Sequence, residues 1–133
     1  MVFMTKNKKK SVLFVSFEAA PFLKTGGLGD VAGALPKALY EEGIDARLIM
    51  PKYSVLDEKK YHLRPLAKGL RVPTPWGEHR MNLWATRMPG SRAIAYFIDY
   101  PPFFHRKNLF GYRDDERRFA FFSRAVITAL RSL

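Results

Sequence analysis

The sequence predicts an α/β domain whose opening strands form a parallel sheet, and three observations predict it. Ser11–Phe17 (SVLFVSF) is a short, nearly continuous apolar run, Asp45–Met50 (DARLIM) reads as a second buried strand, and the stretch between them carries helical spacing and ends on a glycine. A strand covered on both faces reads as such a run rather than as an alternation, and parallel neighbours are joined by a crossover helix. With 133 residues, 47% of them hydrophobic and 14% aromatic, one core is expected.

The first strand occupies residues 11–17. The helix after it is expected to open at Asp30, whose carboxylate can accept the free N–H groups of a first turn. Val31, Leu35, Ala38 and Leu39 give it an apolar face, and Gly43 is placed to end it. Pro36 lies inside this helix, removes one backbone donor and should bend the chain. The second strand, residues 45–50, stops at Pro51 and completes a βαβ unit. From Leu66 to Tyr100 the pattern changes to LAKGLRV, HRMNLWATRM and RAIAYFIDY, separated by PTPWG and PGS, which reads as strands joined by turns. The last of these is apolar enough to be central. Asp114–Leu133 is an amphipathic helix with acidic residues Asp114, Asp115 and Glu116 at its positive end and Phe119, Phe122, Val126, Leu130 and Leu133 on one face. It reaches Leu133 with no glycine, asparagine or proline to close it, so it reads as a helix cut short.

Composition narrows the function classes. No apolar run approaches the roughly 18 residues of a membrane span, and the opening MVFMTKNKKK has neither the apolar stretch nor the cleavage site of a secretory signal. The absence of cysteine excludes disulfides, thiolate metal sites and thiol redox chemistry. The 23 Lys and Arg against 12 Asp and Glu give a net charge of +11, which attracts phosphorylated ligands, anionic lipid or nucleic acid. Residues 1–10 form a basic tail expected to be flexible, carrying Lys6, Lys8, Lys9 and Lys10, and the remaining charge is dispersed along the chain.

The stretch FEAAPFLKTGGLGDVAG, residues 17–33, is the richest in chemistry. Gly27, Gly29 and Ala32 fit the dinucleotide-binding spacing, but residues 19–25 separate them from the strand, and Met50 and Pro51 stand where an acidic residue should meet a ribose. The phosphate loop of nucleotide triphosphatases is absent. What remains is a glycine turn at a helix N-terminus with Lys24 beside it, a device suited to a phosphate-bearing ligand. The plain alternative is a sharp turn with a solvated lysine.

The run VLFVSFEAAPFLKTGGLGDVAGALPKAL resembles the opening of bacterial glycogen synthases and plant starch synthases, and K-T-G-G-L is highly specific to them. DARLIMPKY, AYFIDYPPFF and YRDDERRFAFFSRA extend the resemblance over residues 11–133, read as the truncated N-terminal part of the catalytic domain. The resemblance implies a Rossmann-like partial N-terminal domain of a GT-B glycosyltransferase. Such an enzyme transfers glucose from ADP-glucose, or sometimes UDP-glucose, to the non-reducing end of an α-1,4-glucan with retention, and needs no metal or cofactor. It implies ADP-glucose binding by Lys24, Gly26 and Gly27, and by Asp30, which serves equally well as a helix cap. The family's histidine-bearing segment and second domain do not fit in 133 residues, so the catalytic residues are left unassigned and the fragment alone is expected to be inactive. Phe17 departs from the family, which has a small residue before Glu18.

Other polar residues carry two readings each. Glu18 either touches substrate or hydrogen-bonds the loop. His62, His79 and His105 lack metal-ligand spacing and read as surface or loop residues. Trp76, Trp84 and the aromatics of residues 96–104 either stack on glucan rings or fill core, the latter favoured at strand spacing. Arg117 and Arg118 read as a solvated or salt-bridged helix face. The competing function is a non-catalytic basic module for RNA or another polyanion; the aromatic strand motif of common RNA folds is absent, so no specific nucleic acid is expected. The tail is too short and serine-poor for a transit peptide, which favours a bacterial cytoplasm over a plastid.

Overall fold

The computed structural model describes residues 10–133, so the basic tail, Lys10 apart, lies outside the described residues. The elements are β1 (Ser11–Val15), α1 (Gly27–Glu41), β2 (Asp45–Pro51), β3 (Arg64–Thr74), β4 (Gly77–Arg87), β5 (Ile94–Asp99), α2 (Pro101–Phe104) and α3 (Asp115–Ser132). They build one five-stranded sheet in the order β1-β2-β5-β4-β3. β1, β2 and β5 run parallel, while β4 and β3 are antiparallel to their neighbours.

The apolar run of β5 lies at the centre of the sheet, as its composition predicts, with Ala95, Tyr96, Phe97 and Ile98 all buried. Its side chains alternate between two faces. Phe97 meets Phe22 of the loop before α1, with ring centroids 5.0 Å apart, while Tyr96 shares a groove with Leu130 and Leu133 at the end of α3. The β3–β4 hairpin turns through Pro75 and Trp76, closed by Thr74 Oγ1 donating to the Gly77 carbonyl at 2.8 Å.

The structure corrects several expectations. β1 is an edge strand, not a strand covered on both faces: Val12 and Val15 are 40% and 52% exposed, because α1 packs on β2 and α3 packs on β3 and β5. α1 opens at Gly27, with Gly26 as its cap and no side-chain cap bond, so Asp30 is not the N-cap. Its buried face is Gly29, Ala32, Gly33 and Pro36, leaving Val31 and Leu35 outward, because small residues let the helix approach the loop that precedes it. Gly43 does end the helix, at φ +91°, with Ile44 N–H donating to the Leu39 carbonyl and Gly43 N–H to that of Tyr40, a Schellman arrangement.

On α3 the buried arc is Arg118, Phe121, Phe122, Ala125, Val126 and Ala129, turned about one position from the expected face; Leu130 is 50% exposed. Arg118 is fully buried rather than solvated, donating to Asp115 at 2.8 Å and to the Phe103 carbonyl at 2.7 Å. His79 is not a loop residue. It sits half-buried in β4, between Thr74 Oγ1 and the Tyr100 hydroxyl at 3.1 and 2.9 Å.

Candidate substrate-binding site

Parallel strands deliver their following loops to one edge of a sheet, and ligands of α/β folds gather at that C-terminal edge. β1 ends at Val15, and the segment from Ser16 to Gly26 folds back over this edge before α1 begins. Ala19 and Leu23 exchange backbone hydrogen bonds at 2.9 and 3.0 Å, and Ala20 N–H donates to the Gly29 carbonyl at 2.9 Å. The loop is also held from outside. Tyr53, just beyond β2, donates its hydroxyl to the Phe17 carbonyl at 2.8 Å, and Tyr61 donates to that of Pro21 at 3.1 Å. Burial pushes the Tyr53 hydroxyl above the usual phenol range against the pull of Arg118, which keeps it a donor.

Glu18 is buried, and its Oε2 accepts both the N–H of Thr25 at 2.5 Å and its hydroxyl at 2.7 Å. Of the two readings open for Glu18, the geometry brings out the loop-holding one. A buried carboxylate is tolerated only with such donors, so the bond fixes the threonine of KTGGL in place.

The glycines divide by task. A Cβ on Gly29 would lie 2.6 Å from Lys24 Cβ, and one on Gly33 would collide with the Ala20 carbonyl oxygen; these two let α1 pack against the loop. At Gly26 and Gly27 an added Cβ meets nothing within 4 Å. Gly26, at φ −163°, is extended backbone that any residue adopts. Neither the turn nor the packing requires glycine at 26 and 27, and their smallness faces open space at an uncapped helix N-terminus.

Lys24 and Asp30 are brought together: Nζ lies 2.6 Å from Oδ1, with the side chains 46% and 59% exposed. The lysine is thus held over the first turn of α1 by a solvent-facing pair that a stronger anion can displace. Trp84 donates to Asp99 at 3.0 Å beneath the ammonium of Lys52, and Trp76 packs against the core, so both tryptophans are committed within the fold. Among the described residues no group of three or more His, Asp or Glu could hold a metal ion.

The starch synthase catalytic domain family matches residues 11–133. The chain belongs to that family. This starch synthase family chain is 44% identical to a glycogen synthase of Clostridium perfringens over 122 residues, and 48% identical to one of Clostridium acetobutylicum over 120. These alignments cover 92% and 90% of the chain but only 25% and 24% of the relatives. It spans about a quarter of their length. Among solved structures, the catalytic domain of starch synthase IV from Arabidopsis thaliana, bound to ADP and acarbose, superposes with a TM-score of 0.83 at 32% identity, covering 94% of this chain and 26% of that one. The mixed sheet described above is therefore part of a GT-B catalytic domain.

The sequence missed Gly29 and Gly33 as packing glycines, since spacing cannot tell a glycine that admits a ligand from one that admits a loop. It also missed Tyr53 as an anchor, although its motif DARLIMPKY contains it.

Proposed function

We propose that this chain is the donor-phosphate side of a glycogen synthase that transfers glucose from ADP-glucose to the non-reducing end of an α-1,4-glucan with retention. The observation that carries the reading is the pair Gly26 and Gly27, glycines with no internal reason to be glycine, at an uncapped helix N-terminus under Lys24. In this reading the diphosphate lies against the backbone at Gly26 and Gly27, and Lys24 leaves Asp30 for a phosphate oxygen. Asp30 then serves to aim the lysine. As the bond between glucose and phosphate breaks, negative charge grows on the departing diphosphate, and preoriented N–H groups and the ammonium stabilise it. The glycogen synthase relatives and a neighbour holding ADP and acarbose support the donor and acceptor classes. The relatives are bacterial, which supports a bacterial enzyme, and no helix among the described residues is long and apolar enough to cross a membrane.

The test uses a full-length chimera in which residues 11–133 replace the matching quarter of the Clostridium acetobutylicum glycogen synthase. Incorporation of labelled glucose from ADP-glucose into glycogen is expected, and Lys24→Ala should lower kcat/KM about 10 to 100-fold, the effect of losing a charge-assisted contact of about 1.5–3 kcal/mol. Unchanged kinetics in Lys24→Ala would overturn the assignment of this loop to the phosphates.

A further inference from the structure

A second candidate binding site lies away from the glycine loop, in a cavity of about 660 Å³ lined by Lys60, Tyr61, His62, Arg64 and the segment from Thr86 to Ser91. The β3–β4 register creates it: Arg64 opposes Ala85 at the start of β3, so the turn before β3 and the turn after β4 converge at one end of the hairpin. An adjoining groove of about 410 Å³ shares Arg64, Thr86 and Arg87 and extends the cavity along Pro65, Leu66 and Ile94.

Three features set this cavity apart from ordinary basic surface. No carboxylate lines it, and among the described residues Lys60, Arg64 and Arg87 make no ion pair. The groove beside β1 shows the usual alternative, where the lining Arg47 is neutralised by Asp45 at 2.9 and 3.0 Å. The nearby Asp57 uses Oδ1 to accept the Lys60 N–H, which shapes the turn. Next, the framework is fixed. His62 is the one described non-glycine residue at positive φ, 55°, held by its N–H to the Lys59 carbonyl and followed by Leu63 N–H on that of Glu58. Thr86 Oγ1 ties the Tyr61 carbonyl to β4 at 2.6 Å. A constrained backbone around convergent cations is a site arranged in advance of its ligand. Finally, the lining is not all charge: Tyr61 and buried Met88 provide an apolar wall, and Ser91, whose oxygen accepts the Ala93 N–H at 3.0 Å, retains a hydroxyl proton to donate.

We infer that this cavity binds a compact phosphate ester of sugar size, with Arg64, Arg87 and Lys60 on the phosphate and the Tyr61–Met88 wall against the carbon skeleton. The volume falls in the range of small-molecule sites and the cations converge on one concavity, whereas a nucleic-acid surface spreads them along a stripe. Arginine's planar fork matches a phosphate bidentately. The inference does not rest on the ADP-glucose reading of the glycine loop.

The experiment follows backbone amide shifts of the ¹⁵N-labelled 133-residue chain on titration with ribose 5-phosphate, inorganic phosphate, ribose and a short RNA. Saturable shifts confined to residues 60–64 and 86–91 are expected with ribose 5-phosphate, weaker ones with phosphate, and none with ribose. The double variant Arg64→Ser/Arg87→Ser should weaken ribose 5-phosphate at least about 10-fold, while Arg124→Ser on the exposed side of α3 should leave it unchanged. Both arginines are exposed, so the double variant should keep a dispersed spectrum like that of the parent chain. Equal weakening by Arg124→Ser, phosphate binding as tightly as the ester, or tighter RNA binding at the same residues would each overturn the inference.

Discussion

An added methyl at Gly33 would drive into the Ala20 carbonyl oxygen, a backbone atom that cannot swing aside, while at Gly26 it would point into open space. Gly33→Ala should therefore destabilise the chain by about 1–3 kcal/mol, as overpacking does, and Gly26→Ala should stay within about 0.5 kcal/mol. Urea midpoints at unchanged m read the difference. If both variants melt alike, the division of the glycines into packing and access roles is wrong. A second residue-scale test concerns Arg106, whose guanidinium donates to both oxygens of Asp114 at 2.6 and 2.7 Å and holds that carboxyl below its ordinary range. A depressed folded-state value contributes stability that is present above the unfolded carboxyl value near 3.9 and is lost as pH falls through the folded one. Arg106→Ala also loses its bonds to the Pro102 carbonyl, which do not depend on pH. Its deficit relative to the parent should thus be largest at pH 7 and narrow on acidification toward pH 2. A deficit constant across that range would remove Asp114 from the account.

At the scale of elements, strands were legible and helix faces were not. Short, mostly apolar segments located β1, β2 and β5, and the turn residues at Pro75 and Gly90 bounded β4, because these signals depend on local chain properties alone. The buried face of α1 escaped a reading based on hydrophobicity, since Gly29, Gly33 and Ala32 are buried for their small size while Val31 and Leu35 face out. α3 shows the same limit in another form, with an arginine on its buried arc. Arg118 packs near the rings of Phe104, Tyr112 and Phe119 and bonds Asp115 and the Phe103 carbonyl, so one side chain ties α3 to α2 and to the segment between them. Arg118→Ala removes the donor to the Phe103 carbonyl and leaves a void where a fully buried side chain stood, which predicts a loss of about 3 kcal/mol. A variant within about 0.5 kcal/mol of the parent by urea unfolding would show that α3 docks through its aromatics alone. The glycine loop was legible because KTGGL is contiguous. The cavity at Lys60, Arg64 and Arg87 was not, because the hairpin register alone brings its two segments together.

For the whole molecule, the deciding fact is that the chain spans about a quarter of the glycogen synthases it matches. The described part places the glycine loop at one edge of a sheet, and Val12 and Val15 of β1 with Ile127 and Leu130 of α3 remain 40–52% exposed, apolar surface unlike the well-covered centre at β5. A catalytic cleft that must enclose both a nucleotide sugar and a glucan needs walls on more than one side, since transfer to sugar rather than to water depends on excluding water from the reacting carbon. Here the loop faces open space at Gly26 and Gly27, with Lys24 half exposed. The 133-residue chain by itself should consequently incorporate no labelled glucose from ADP-glucose into glycogen, under conditions where the chimera carrying residues 11–133 does. Turnover by the isolated chain, retained after Lys24→Ala, would place the chemistry somewhere other than this loop and would break the link drawn between the glycine turn and the departing diphosphate.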